Sequence, residues 1–267
     1  MIVGHLPRSV LALVCAAAVG LGACATRPDP ADTEAVEEFR ANNDPLEPLN
    51  RGMYFVNEGL DTLVIRPAAE AYRIFLPPEL RSGVRNVLGN LRTPVILVND
   101  LLQGETDRAG VTIGRFVLNT TLGVGGIFDV ATGFGLPGHA EDFGQTLAIW
   151  GVSEGPYLFI PFLGPSNPRD LVGFGVDAAS NPLTWISGNE FFDAATNTRI
   201  VLQGLDTREG LIEPLDAVRN SSLDPYATIR SAYRQRRAAE IMNRDTAAPA
   251  ARGTGFGAGT GGAGQAR

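Results

Sequence analysis

The sequence predicts an all-α protein. Apolar residues recur at intervals of three and four in several segments, prolines stand where helices would begin, and no series of alternating segments marks a barrel or a sandwich. Of 267 residues, 44% are hydrophobic and 19% charged, enough apolar mass for a folded core. The formal net charge is −7, which argues against nucleic acid or another polyanion as partner. All 22 basic residues are arginine, the better fork for phosphate. Two cysteines and two histidines leave almost nothing for metal or thiol chemistry, so no cofactor is expected. With 32 glycines and 18 prolines the helices should be short.

Residues 1–23 have a basic start at Arg8, an apolar run from Val10 to Val19 and small residues before Cys24, the pattern of a secretory signal. The run is shorter than the ~20 apolar residues a spanning helix needs. Leu21-Gly22-Ala23-Cys24 looks like a bacterial lipobox, which implies lipid attachment at Cys24. Residues 24–43 form an acidic tether, with a short helix expected near Val36. The folded domain spans 44–243. Leu49, Met53, Val56, Leu60 and Leu63 make one helical stripe, with Asn57, Glu58 and Asp61 off it. Leu80, Val84, Val87 and Leu91 make another after Pro77-Pro78. Thr93-Pro94 reads as the start of a further helix, Val95 to Leu102. Ala109, Ile113 and Phe116 share one helix face, and Arg108, Thr112, Arg115 and Asn119 the opposite one. Gly123 to Gly138 is apolar yet full of helix breakers. A lipid-facing hairpin or gate would have this composition, and so would a buried irregular segment. Strand evidence is confined to Tyr157–Leu163, interrupted by proline. Asp224-Pro225 opens a last helix with Arg230, Arg234 and Arg237 on one face. Residues 244–267 form a Gly-rich tail with the composition of disorder.

Catalytic patterns are weak. Gly151-Val152-Ser153-Glu154-Gly155 matches the nucleophile elbow, but no histidine follows it and the preceding segment is helical rather than extended. His139 sits in a turn and reads as a solvated loop residue without a second metal ligand. Asp142 stands where the N-cap of a Phe143–Trp150 helix belongs. No enzyme is expected. Amphipathic helices without a long span suit either a protein lying in a membrane interface or a helical bundle packed on itself.

The ordered blocks resemble the MlaA (VacJ) family of outer-membrane phospholipid-transport lipoproteins. They run from Asp44-Pro45-Leu46-Glu47-Pro48-Leu49-Asn50-Arg51 through Gly89-Asn90-Leu91, Arg115-Phe116 and Asn119-Thr120 to Glu141-Asp142-Phe143-Gly144-Gln145-Thr146-Leu147. Gly164-Pro165-Ser166, Arg169-Asp170 and Asp224-Pro225-Tyr226 complete the match. The resemblance implies a ring of short amphipathic helices in the membrane interface around a central channel, anchored at the periplasmic face of the outer membrane. It implies that phospholipid astray in the outer leaflet passes through that channel to a periplasmic MlaC-like carrier, and that the protein associates with a trimeric porin. The competing reading is a structural envelope lipoprotein that binds porins and moves no lipid. Under the transport reading, Ile127, Phe128, Phe134 and Leu136 are candidates for an apolar gate. Arg85, Arg108 and Arg115 are candidates for headgroup or channel-rim contacts. Arg230, Arg234 and Arg237 are candidates for a partner or membrane face.

Overall fold

The computed structural model describes residues 28–185 and 190–243. The signal segment, Cys24 and the Gly-rich tail lie outside the described residues. Helix α1 (Thr33–Asn42) is capped by Asp32, as the tether composition suggested near Val36. Helix α2 (Glu47–Leu60) runs through one π-helical turn (Asp61–Ile65) into α3 (Arg66–Phe75). Pro67 has no N–H for the Leu63 carbonyl, and beside it the turn is wide, with the Arg66 N–H reaching Asp61 O. Next come α4 (Pro78–Leu102), α5 (Thr106–Thr121), the single turn α6 (Val130–Gly133) and α7 (Phe143–Ile149). Strands β1 (Leu158–Ile160) and β2 (Gly164–Ser166) pair antiparallel, Phe159 opposite Pro165. Helices α8 (Pro168–Ser180), α9 (Pro182–Trp185), α10 (Glu190–Gly210), α11 (Ile212–Ser221) and α12 (Pro225–Ile241) complete the chain. Asp142 and Asp224 cap α7 and α12, accepting from Gln145 N and Ala227 N.

Two expectations are corrected. Thr93-Pro94 opens no new helix: α4 is one element of 25 residues with Pro94 inside it. An internal proline costs about 3 kcal/mol, and packing of α4 against α5, α7 and α10 offsets that. Thr93 also turns its hydroxyl back onto the Gly89 carbonyl at 3.4 Å. Helix α10, at 21 residues, is also longer than the glycine and proline content implied.

The contacts close on themselves. Helix α2 packs on β1, β2 meets α12, α12 meets α7, and α7 meets α4. Helix α4 meets α10, α10 meets α3, and α3 returns through the π turn to α2. This circuit is the predicted ring of helices. Among the described residues no helix is long and apolar enough to cross a membrane.

The polarity of this ring is inverted. Twenty described polar or charged residues are buried, against nine apolar ones, while thirty large apolar residues are exposed. On α5, Thr112 and Asn119 point inward, and Ile113 and Phe116 face out. On α2 and the π turn, Asn50 and Asp61 are buried, whereas Phe55, Val56 and Leu63 are exposed. Further apolar side chains, among them Val64 of the π turn and Ile74 and Phe75 of α3, are exposed as well. Exposed apolar surface this extensive marks a membrane or interaction face in a folded protein.

Arginine–carboxylate pairs do much of what an apolar core does elsewhere. Arg208 forks Asp61 at 2.6 and 2.7 Å, and Arg219 reaches the same carboxylate at 2.8 Å. Arg66 forks Asp216, and Arg51 forks Asp224. Each pair joins the first helices to the last ones. The planar guanidinium makes two parallel bonds per carboxylate, which gives the all-arginine composition a structural use. Asp44 is gripped by Arg230 at 2.8 Å, by the Tyr226 hydroxyl and by Asn50. Asn50 in turn bonds Tyr157 O and Phe159 N, each at 3.0 Å. The first and last blocks of the sequence pattern are thus one latch, set beside the small aromatic cluster of Tyr157, Phe159 and Tyr226.

Helices α7 and α8 cross closely at Gly144 and Gly173. A Cβ on Gly173 would lie 2.3 Å from Gly144 N. Gly173→Ala is therefore expected to cost about 1–3 kcal/mol by overpacking, read as a lowered melting temperature in detergent.

Candidate functional site

The Gly-rich segment after α5 is rigid at its base and apolar at its tips. Asn119 accepts from Ala131 N at 2.9 Å and donates to Asp129 at 3.1 Å. Arg115 Nη1 donates to Leu136 O at 2.5 Å and Thr132 Oγ1 at 3.0 Å, while Nη2 meets Asp129 at 3.0 Å. Burial opposes the Asp129 charge, but the bonds from Thr132, Arg115 and Asn119 outweigh it and hold its carboxyl below the usual range. Asn86 ties Ile127 O to α4 at 2.9 Å. Val124 adopts φ 54°, a conformation costly for a β-branched residue. From this base Val124, Phe128 and Phe134 stand outward, 62%, 60% and 65% exposed. Ile127 is less exposed and lies beside Gly83, and Leu136 is seated against Gly114 of α5. The segment is therefore neither a buried core nor a free loop.

Arg115 thus acts on the chain's own loop. Removing it as Arg115→Met takes away charge-assisted bonds of about 1.5–3 kcal/mol each. Amides of residues 129–136 should exchange roughly 10- to 100-fold faster while α8 and α12 keep their protection, as hydrogen exchange can measure.

Behind the segment lies a polar interior. Thr112 Oγ1 donates to Asp100 at 2.6 Å, and His139 Nε2 stands 2.9 Å from the same carboxylate. The His139 side chain is 8% exposed, so it is no solvated loop residue. The turn that holds it folds back over α4 and α5, where a histidine pairs with a buried acid. Arg108 pairs with the buried Glu141 at 2.7 Å, and Gln103 bridges Glu141 and Thr146 at 2.9 and 3.2 Å. Burial pushes the Glu141 carboxyl up, against the bonds from Gln103 and Arg108. Thr146 continues to Asn99 at 2.8 Å, and Asn99 to Asp177 at 3.0 Å. One polar chain therefore crosses α5, α4, α7 and α8. Ser153 lies in the loop between α7 and β1, preceded by helix rather than strand, outside the context a nucleophile elbow needs. Among the described residues no acidic or histidine cluster can hold a metal ion.

The chain of polar groups ends at an open cavity of about 300 Å³ between α4, α7, β2, α8 and α12. Its organising residue is Arg237. Arg237 forks Asp142 with two bonds of 2.7 Å and reaches Asp170 at 2.8 Å through Nε and 3.0 Å through Nη2. Burial opposes the Asp142 charge, but Arg237 overrides it and holds the carboxyl at about 2.

The arginines singled out from sequence all have partners. Arg85 meets Asp206 at 3.1 Å with its side chain 43% exposed, and Arg108 and Arg115 are engaged as described. Arg230, Arg234 and Arg237 do share one face of α12, and that face turns toward Asp44, Glu154 and Asp142. Asp170 and Asp177, seven residues apart on α8, both line the cavity. Sequence reasoning did not single out Asp177. Its only signal was that two-turn spacing.

Known proteins match this architecture. The profile of the MlaA lipoprotein family matches residues 42–240. The "intermembrane phospholipid transport system lipoprotein MlaA" of Shigella flexneri is 40% identical over 202 residues, covering 74% of this chain and 78% of that protein. Its namesake in Haemophilus influenzae is 34% identical over 223 residues, covering 82% and 84%. A solved structure described as the "structural basis for maintenance of bacterial outer membrane lipid asymmetry" superposes with a TM-score of 0.65 at 36% identity. It covers 74% of this chain and 98% of its own. The inverted helical ring, the two-ended latch and these matches agree: the chain belongs to the MlaA lipoprotein family.

Proposed function

We propose that this protein is a lipid-anchored component of the outer membrane that removes phospholipid astray in the outer leaflet and releases it toward the periplasm. The observation that carries this is the inverted ring, with apolar residues outside, polar residues inside and no spanning helix among the described residues. Such a body sits in one leaflet, held by its apolar rim and by lipid on Cys24.

The physical need is large. Exposing two acyl chains of about 16 carbons costs on the order of 25 kcal/mol, and taking a headgroup through hydrocarbon is costly too. A passage with an apolar side and a polar side lowers both barriers. The clamped segment bearing Ile127, Phe128, Phe134 and Leu136 supplies the apolar side, with Arg85 at the rim for phosphate. No bond is broken, so no catalytic group is required. A periplasmic carrier of the MlaC kind receives the lipid, and a trimeric porin holds the ring in the bilayer.

The test is deletion of the gene followed by measurement of phospholipid in the outer leaflet. A rise on deletion, reversed by the wild-type gene and not by Cys24→Ser, is the expected result. No rise would leave a scaffold that moves no lipid.

A further inference from the structure

The cavity at the end of the polar chain is lined by an acid and a base that form no ion pair. Arg237 and Arg236 engage three of its four carboxylates: Arg237 bonds Asp142, Asp170 and Glu240, and Arg236 bonds Glu240 at 2.7 Å. The fourth, Asp177, is different. It accepts from the Phe143 amide at 3.1 and 3.2 Å and from Asn99 at 3.0 Å, all neutral donors. Among the described residues no cation lies within 4.0 Å of it. The exposed Arg92 on α4 lines the same cavity, and among the described residues it has no ion-pair partner within that distance. Its charge is felt at Asp177, but the two do not touch. Leu163 and Phe174, 43% and 60% exposed, give the cavity an apolar edge.

A separated acid and base facing one ligand-sized space, beside an apolar edge, match a zwitterion with a hydrocarbon stem. We propose that this cavity is a headgroup site for a zwitterionic aminophospholipid: the primary ammonium meets Asp177, the phosphate meets Arg92, and the acyl stem leaves over Phe174 and Leu163. A primary ammonium fits better than a quaternary one, because Asp177 Oδ2 has a single partner at 3.1 Å and can accept a further N–H. The hydroxyls of phosphatidylglycerol could also donate to that carboxylate, but they are neutral and form weaker bonds than an ammonium, whose bond is charge-assisted. The site rests on the lipid-transport reading and adds a headgroup preference to it.

The experiment uses the full lipidated chain in detergent, equilibrated with vesicles of equal phosphatidylethanolamine, phosphatidylcholine and phosphatidylglycerol. Lipid retained after isolation is counted by mass spectrometry. The wild type should enrich phosphatidylethanolamine about ten-fold over either competitor. Asp177→Asn, which keeps the shape and one acceptor, should erase that enrichment while total lipid holds. Arg92→Gln, on an exposed side chain, should lower retention of all three lipids alike. Free glycerophosphoethanolamine should displace phosphatidylethanolamine from the wild type. If the free compound binds and the lipid does not, the site serves a soluble zwitterion and the proposal falls. Equal headgroup ratios on the wild-type chain overturn the site and leave transport standing. No retained lipid of any kind overturns the transport reading itself. Should Asp177→Asn fail to fold, the wild-type ratio of primary to quaternary ammonium lipid decides in its place.

Discussion

Arg237→Gln is expected to lower stability by about 3–5 kcal/mol, because it strands two carboxylates that burial alone disfavours. In a chain of this size the melting temperature should fall by roughly 6–20 °C. Arg237 is 9% exposed and joins α12 to the N-cap of α7 and to α8, so its loss opens the ring at one of its tightest seams. The same pair sets a pH dependence. The folded Asp142 carboxyl is depressed to about 2, below its unfolded value. Its contribution is therefore complete above about pH 4, the unfolded carboxyl value, and is lost as pH falls through the folded one. Asp170 is depressed in the same direction, burial again being outweighed by Arg237. The difference between wild type and Arg237→Gln should thus be full near neutrality and narrow toward pH 2, as Asp142 protonates. Melting curves at stepped pH measure it. A gap that stays constant down to that pH would show that Arg237 acts by packing and not by charge.

Replacing Phe128 and Phe134 together by serine should leave the fold intact and disable the passage of lipid. Both rings stand exposed on a segment whose base is held by Arg115, Asn119 and Asn86, so their removal takes away apolar surface without loosening a core. Each lost phenylalanine contact with an acyl chain is worth about 1.5–3 kcal/mol, which corresponds to a slowing of at least about ten-fold per ring if the contact is made at the highest point of the path. Outer-leaflet phospholipid should then rise toward the level of the gene deletion at unchanged protein abundance. If outer-leaflet phospholipid stays at the wild-type level with the protein present, the gate assignment is lost.

Much of the fold was legible in the residues. The stripes on α2, α4 and α5 announce helices, and Asp142 and Asp224-Pro225 mark their starts as capping chemistry requires. The order of blocks from Asp44 to Arg237 also indicated the family, and much of that pattern turns out to be latch and seam: Asp44, Asn50, Asp142, Asp170 and Tyr226 all hold the ring together.

What periodicity could not state is which side of a stripe faces inward. A helix with Ile113 and Phe116 on one face and Thr112 and Asn119 on the other is the same sequence in water or in lipid. Only the tertiary contacts decide that the polar face is the buried one, because each buried polar group there finds a partner. For the same reason arginines that read as free forks on helix faces turn out to be engaged. Pairing depends on Asp129, Glu141, Asp206 and Asp170, brought near from distant parts of the chain. The residues alone announced α2, α5, α7 and α12, the caps at Asp142 and Asp224, and the family, but not α3, α8, α10 or α11, nor that α4 runs unbroken through Pro94. Three-dimensional closure of the ring decided which charges pair, because partners distant in sequence meet only there, and it left Asp177 and Arg92 lining one cavity without an ion pair between them.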